Sequence, residues 1–492
     1  MTSSLPTRPR AWLPLLILLL ALGGLLRLLD ITDPPLDFHP SRQLRNSLVS
    51  RSIYYSILPS ATEEQRELTS SFARTVGRYE PPIIESLVAV TDRLVGGENY
   101  AIPRIWGTLF WLLAGLALLD LARRAVSPWA ALVALSFYLV LPFAVQASRS
   151  FQPDPLMTSA FVIGIYFLYR WSEEPTWKWA ILASIFLGFA TLVKIVIAFL
   201  AGTAAIALVL FTLKKDFWKS KQVWMMAAIM VAPALTYYVF LHHGRSTEYF
   251  FSWSAALFKL VTTTDFYSKW LSFIGSLFGL MVIFLSIAGA LVAPARLRWL
   301  LVSLWIGYLL YGLTLPFQMY THSYYHIQLI PVIALGLASA LNPLIELTAA
   351  QGPAGRVAFV ALVVAVIGYE SWVARSVLIA EDFRHEPAFW KDLGNVIPVD
   401  ARVIGLTPDY GYRLMYFGWR KVVLWPYSNE LTEVRNGEID FSERFAELTQ
   451  GRDYFLVTSF GQLDKQPDLQ KILETYPVAA QGDGYVLYDL RK

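Results

Sequence analysis

The chain has 492 residues, of which 55% are hydrophobic and only 16% charged, with a mean hydropathy of +0.46. Average soluble domains carry roughly 25% charge, so most of this chain belongs in lipid. The net charge of +4, from 41 basic and 37 acidic residues with no long basic run, argues against a nucleic-acid partner, and the absence of cysteine excludes disulfides, thiolate metal sites and thiol nucleophiles.

Runs of about 18 or more apolar residues are long enough to span a bilayer. On that measure about eleven spans are predicted, at 11–29, 104–122, 128–146, 155–171, 178–193, 195–213, 222–241, 271–293, 297–315, 324–341 and 356–376. The first reads as an uncleaved span rather than a signal peptide, because its apolar run is long and no A-x-A-like site follows. The stretch 83–95 is too short to cross and reads as an interfacial helix. With Arg8 and Arg10 in the cytoplasm, every later basic cluster between spans also falls inside: Arg123 and Arg124, Lys178, Lys214 to Lys221, Arg296 and Arg298, and Arg356.

That orientation sends outside a first loop of about 30–103, a short loop near 147–154, a tight turn at Lys194, loops at 242–270 and 316–323, and everything after about 377. In the tail, apolar runs at Arg402–Leu406, Val422–Trp425, Tyr454–Thr458 and Tyr485–Tyr488 read as strands, with helical stretches at Phe389–Val396 and Phe441–Leu448. The expected architecture is mostly α: a polytopic helix bundle over 1–377, with juxtamembrane helices in the first outer loop, and a small extracytoplasmic α/β domain over 378–492.

Ionisable groups near a membrane boundary are unfavourable unless used or paired, and the outer side collects several. The first loop holds Asp37, His39, Arg42 and Arg45, then Arg78, Tyr79 and Glu80 before two prolines. The second holds Arg149 and, between prolines, Asp154; Lys194 stands alone in an apolar stretch; later loops bring His242, His243, Arg245, and the run Tyr320 to His326 with His322 and Tyr324. Such a set suits a lipid-linked phosphate and a hydroxyl or amine nucleophile. An ionised carboxylate takes a proton as general base, cations neutralise charge developing on a leaving phosphate, and a divalent metal ion held by Glu and His can share that load.

Each residue also has a purely structural reading. Asp37 and Arg42 can form a loop salt bridge, Glu80 and Asp154 can favour helix starts, Arg149 can snorkel, and a lone interfacial histidine is usually a satisfied polar residue. Lys194 is hardest to explain this way, because an ammonium between two apolar spans is costly to desolvate.

Five patches in order resemble the GT-C superfamily of polyprenyl-phosphate-dependent glycosyltransferases, more closely its protein O-mannosyltransferase and lipid A aminoarabinose transferase branch. They are PLDFHPSRQ, RYEPPIIESL, SRSFQPDPLM, GFATLVKIVIAF and HSYYHIQLIPVIALGLA. The resemblance covers roughly residues 10–345. It implies a polyprenyl-phosphate-linked sugar as donor, an acceptor that is a protein, lipid or glycan, and inverting transfer outside the membrane. By matching position, Asp37 would be the catalytic carboxylate, Glu80 a metal or acceptor-side ligand, Lys194 a phosphate contact, and Arg149, Asp154 and Tyr324 neighbours in the cavity. His39 and Arg42 join this substrate-binding set, and His322 joins Glu80 as a metal ligand. The mannosyltransferase pattern pairs Asp with Glu, whereas Phe38 follows Asp37 here, which puts protein-type acceptor recognition and metal use in doubt. The rival is a lipid-linked sugar flippase or other transporter, which would place polar groups at mid-membrane on repeated, broken helices.

Overall fold

The computed structural model describes residues 9–77, 79–241, 255–429 and 441–491. Arg8, Arg78, His242, His243 and Arg245 lie outside the described residues. The chain is mostly helical with a small C-terminal sheet. Helix α1 (Pro9–Leu28) leads to three helices of the first long loop, α2 (Pro40–Ile57), α3 (Glu63–Val76) and α4 (Ile83–Val95). The apolar series follows: α5 (Ala101–Ala125), α6 (Pro128–Val140), α7 (Pro142–Arg149), α8 (Pro153–Glu173), α9 (Trp177–Val193), α10 (Ala198–Leu213) and α11 (Lys221–Leu235). It continues with α12 (Thr264–Phe278), α13 (Leu280–Val292), α14 (Ala295–Thr314), α15 (Leu329–Ala350) and α16 (Gly352–Leu378).

Among the described residues, six helices are long and apolar enough to cross a membrane, or eight if each of two bent pairs is one span. Each of the expected segments falls on a helix, but this measure does not reach eleven. Two segments depart in shape. The stretch 128–146 bends by 60° between α6 and α7, where Pro142 opens the second helix and cannot continue the first. The expected span 271–293 divides at Gly279, whose φ of 82° ends α12 so that α13 leaves at 94°.

Contacts divide the chain into two compact units. The first comprises Met1–Ile31, Arg78–Ile84 and Tyr100–Ala380. Its helices approach through small residues, as lipid offers little hydrophobic drive between apolar helices: a Cβ on Gly289 of α13 would stand 1.9 Å from the Gly336 carbonyl oxygen of α15. The second unit comprises Thr32–Gly77, Glu85–Asn99 and Glu381–Lys492. The expected boundary between 377 and 378 leaves the first outer loop with the spans; the structure groups most of that loop with the tail instead. The physical reason is Arg51 of α2, buried with its guanidinium 3.9 Å from the Tyr416 ring and 4.8 Å from that of Trp419, while Glu98 accepts from it at 2.8 Å.

The tail's sheet has the order β2-β1-β3-β5-β4. Strands β1 (Val403–Leu406), β2 (Val422–Leu424) and β3 (Tyr454–Val457) are parallel, β5 (Tyr485–Asp489) runs antiparallel to β3, and β4 (Val478–Gly482) closes the edge. Four of these coincide with expected strands. The fifth, Val-Ala-Ala-Gln-Gly, is a largely exposed edge strand, and so lacks the apolar run by which the others are read. Ile404, Leu406, Trp425, Phe455 and Val457 form the core beneath helices that contribute Phe445, Leu469 and Leu473.

Candidate active site

In the membrane unit, the expected residues gather at the turn between α9 and α10. Helix α9 ends at Val193, and Lys194 follows in an extended conformation, its N–H still donating to the Ala190 carbonyl, before a short 3-10 turn starts α10. A cation here also complements the α9 dipole. Opposite, α8 begins Pro153-Asp154-Pro155; proline is pre-organised for a first helical turn and a carboxylate is favoured there. The two side chains meet: Lys194 Nζ donates to Asp154 Oδ1 at 2.8 Å, with Lys194 4% and Asp154 2% exposed.

The ammonium also lies 4.9 Å from each of the ring centroids of Tyr324 and Tyr325, within cation–π reach. Both rings come from the 3-10 turn Ser323–His326. His322 precedes it, its Nδ1 2.6 Å from the Thr321 hydroxyl and its ring edge-on to Tyr324. Glu80 stands close enough to Tyr238 to act on it electrostatically, and the Tyr238 hydroxyl donates to the Leu192 carbonyl beside Lys194. The structure therefore brings Asp154, Lys194, Tyr324 and His322 together and sets Glu80 near the same turn. The Arg149 guanidinium donates to the Leu29 and Asp30 carbonyls just after the end of α1.

Two residues of the run Tyr320 to His326 were given no site role from sequence. Tyr325 completes the aromatic cradle, and only its adjacency to Tyr324 signals it. His326, fully buried, anchors the turn. Its Nε2 donates to the Met319 carbonyl at 3.1 Å, so its Nδ1 accepts from the Tyr308 hydroxyl at 2.7 Å, and that hydroxyl accepts from Trp270 Nε1 at 2.9 Å. The carbonyl fixes the tautomer, since it can only accept. His326 is thus a neutral support.

In the second unit, Asp37 lies just before α2. His39 adopts φ 49°, packs edge-on against Phe38 with centroids 4.7 Å apart, and precedes Pro40, the first helical residue. Arg42 donates its backbone N–H to His39 O at 2.9 Å. The Asp37 carboxylate accepts at Oδ1 from the Gln43 amide at 3.0 Å.

The metal expectation, with Glu80 and His322 as ligands, meets an inadequate donor set. Among the described residues, no group of three or more His, Asp or Glu side chains is placed to hold a metal ion, as an all-protein site of the zinc or calcium kind requires.

Comparison with known proteins follows the same lines. Residues 79–240 match the family described as dolichyl-phosphate-mannose-protein mannosyltransferase; this stretch holds Glu80, Arg149, Asp154 and Lys194 but neither Asp37 nor Tyr324. No curated protein sequence matches. Among solved structures, ArnT from Cupriavidus metallidurans bound to undecaprenyl phosphate superposes with a TM-score of 0.61 at 16% identity, over 96% of this chain and 97% of that one. The archaeal oligosaccharyltransferase AglB from Archaeoglobus fulgidus, in complex with an inhibitory peptide and a dolichol-phosphate, gives 0.55 at 14% identity, over 92% of this chain and 70% of that one. A structure of the Archaeoglobus fulgidus oligosaccharyltransferase in complex with Zn and sulfate gives 0.51 at 12% identity, over 90% and 68%. Family match and fold agree with the patches that resemble them: residues 79–240 match that family, and the chain has the fold of these structures.

Proposed function

We propose that this protein transfers a sugar from a polyprenyl phosphate to an acceptor on the extracytoplasmic face, with inversion at the anomeric carbon. The observation that carries the reading is the buried Lys194–Asp154 pair against Tyr324 and Tyr325. Ionisable groups buried among membrane-spanning helices are kept chiefly where they are used, and an ammonium at this turn suits the phosphate of a lipid-linked sugar.

Asp37 accepts the proton of the acceptor's hydroxyl or amine. The nucleophile attacks the anomeric carbon opposite the phosphate, the carbon–oxygen bond to phosphate breaks, and its electron pair stays on the polyprenyl phosphate. Lys194 stabilises that charge as it develops, and Asp154 holds the ammonium in place. The related structures point to the donor class, being bound to undecaprenyl phosphate in one case and dolichol-phosphate in another. The polyprenyl chain lies among the spans, eleven in this reading, with the N-terminus cytoplasmic and the C-terminal domain outside. The acceptor is a protein, lipid or glycan.

The test is purified protein with radiolabelled polyprenyl-phosphate sugars and candidate acceptors. Transfer with release of polyprenyl phosphate is expected, and Asp37→Asn should abolish it while expression and thermal stability stay normal. Full activity in that variant removes Asp37 as the base, and movement of intact donor between leaflets without release turns the reading to a flippase.

A further inference from the structure

We propose that Gln43 is a positioning residue for the Asp37 carboxylate, holding the base in a fixed orientation without neutralising it. The inference rests on the reading of Asp37 as general base. Gln43 lies one turn into α2 and is 1% exposed. Its side chain folds back over the helix start, where Nε2 donates to Asp37 Oδ1 at 3.0 Å and to the Phe38 carbonyl at 2.9 Å. A carbonyl only accepts, so the atom facing Phe38 must be the nitrogen, and the amide's orientation follows from chemistry. Its two N–H groups are then both used, one on the backbone and one on the carboxylate. The backbone they grip is held in turn: His39 at φ 49° and Pro40 at the first helical position leave the 37–39 segment little freedom.

The choice of an amide matters chemically. An arginine or lysine in its place would stabilise the ionised carboxylate and weaken it as a base. A neutral donor fixes orientation while leaving the negative charge in place, which is what a base aimed at an acceptor's proton requires. Substituting Gln43→Glu reverses this. The new carboxylate faces two acceptors and loses its donors, and its like charge raises the proton affinity of Asp37.

The experiment measures kcat, donor KM and the pH profile of transfer in the full-length protein, with D37N, Q43E, Q43M and Q43N alongside. Misplacing a reacting group by an ångström costs about 100-fold, so Q43M, which keeps length but has no donor, should lose about 10- to 100-fold in kcat with donor KM nearly unchanged. Q43E should lose as much, and the acid limb of its kcat profile should move to higher pH, a change that loss of packing alone would not produce. Wild-type kcat in Q43M, or a Q43E profile whose acid limb stays put, overturns the positioning role while leaving an inactive D37N to support Asp37. Activity in D37N overturns the Asp37 reading itself. If Q43E does not fold, Q43M and Q43N, the latter one methylene short, decide through the split between kcat and KM.

Discussion

At the residue scale, the Lys194–Asp154 pair carries two roles that substitution can separate. Removing one partner of a buried pair strands the other charge and costs about 3–5 kcal/mol, whereas replacing both with apolar side chains of similar size is often neutral. Lys194→Met should therefore lower the thermal midpoint of the detergent-solubilised protein sharply, and the double variant Lys194→Met with Asp154→Leu should recover most of it. Transfer should stay lost in both, because the ammonium proposed to face the leaving phosphate is gone from both. A double variant that is stable and transfers at the normal rate would show the pair to be scaffolding alone. The pair itself was legible as two suspicious residues, since a lysine in an apolar stretch and an aspartate between prolines each stand out. Their meeting was not, because 40 positions separate them and only the antiparallel packing of α8 against α9 closes that distance. Gln43 was invisible for the opposite reason: an amide one turn into a polar helix looks like any solvent-facing residue until its side chain is seen folding back.

At the element scale, the ends of the helices determine where the candidate residues sit. Long apolar runs announced the helices themselves, including 83–95 as a short outer-loop helix. Their terminations were harder to read, as at Gly279, where one apolar stretch turns out to be two helices at 94°. The close of α4 offers a test. Asp92 is buried, its carbonyl accepts from the Gly96 and Gly97 N–H groups at 3.0 Å, and its carboxyl accepts from Asn99 N at 3.2 Å. Burial pushes that carboxyl up to about 7, against the Asn99 N–H that pulls it down, with Glu98 adding repulsion. The folded protein thus holds a proton that the unfolded chain, with an aspartate pKa near ~3.9, has released. Between about pH 4 and 7 the native state binds more protons, so this group's contribution to stability falls as pH rises and levels off above 7. Asp92→Asn keeps an oxygen for Asn99 and cannot ionise. It should match the wild type near pH 4 and exceed it at pH 8 by about 1–3 kcal/mol, read as a higher thermal midpoint. An equal gain at both pH values would mean that charge at this turn is not what matters.

At the scale of the whole molecule, the composition does most of the early work. A hydrophobic content of 55% with 16% charge points to a membrane, and the distribution of lysine and arginine between spans then predicts one orientation. That prediction rests on every basic cluster falling on the same side, and it would put the C-terminal sheet outside. The absence of cysteine makes the assignment directly measurable, since any introduced thiol is the only one in the chain. Asp468→Cys lies on an exposed helix turn of the tail domain, and Lys215→Cys on the exposed turn after α10. In intact cells, a membrane-impermeant maleimide should label the first and spare the second until the membrane is opened. The reverse pattern would put the tail in the cytoplasm, and Lys194 with it, since both fall on the same side in the charge-based orientation. Labelling of both in intact cells would require an odd number of crossings between residues 215 and 468 to become even, and so would overturn the span count rather than the orientation. The two substitutions thus test separately the two whole-chain conclusions on which an extracytoplasmic transfer reaction depends.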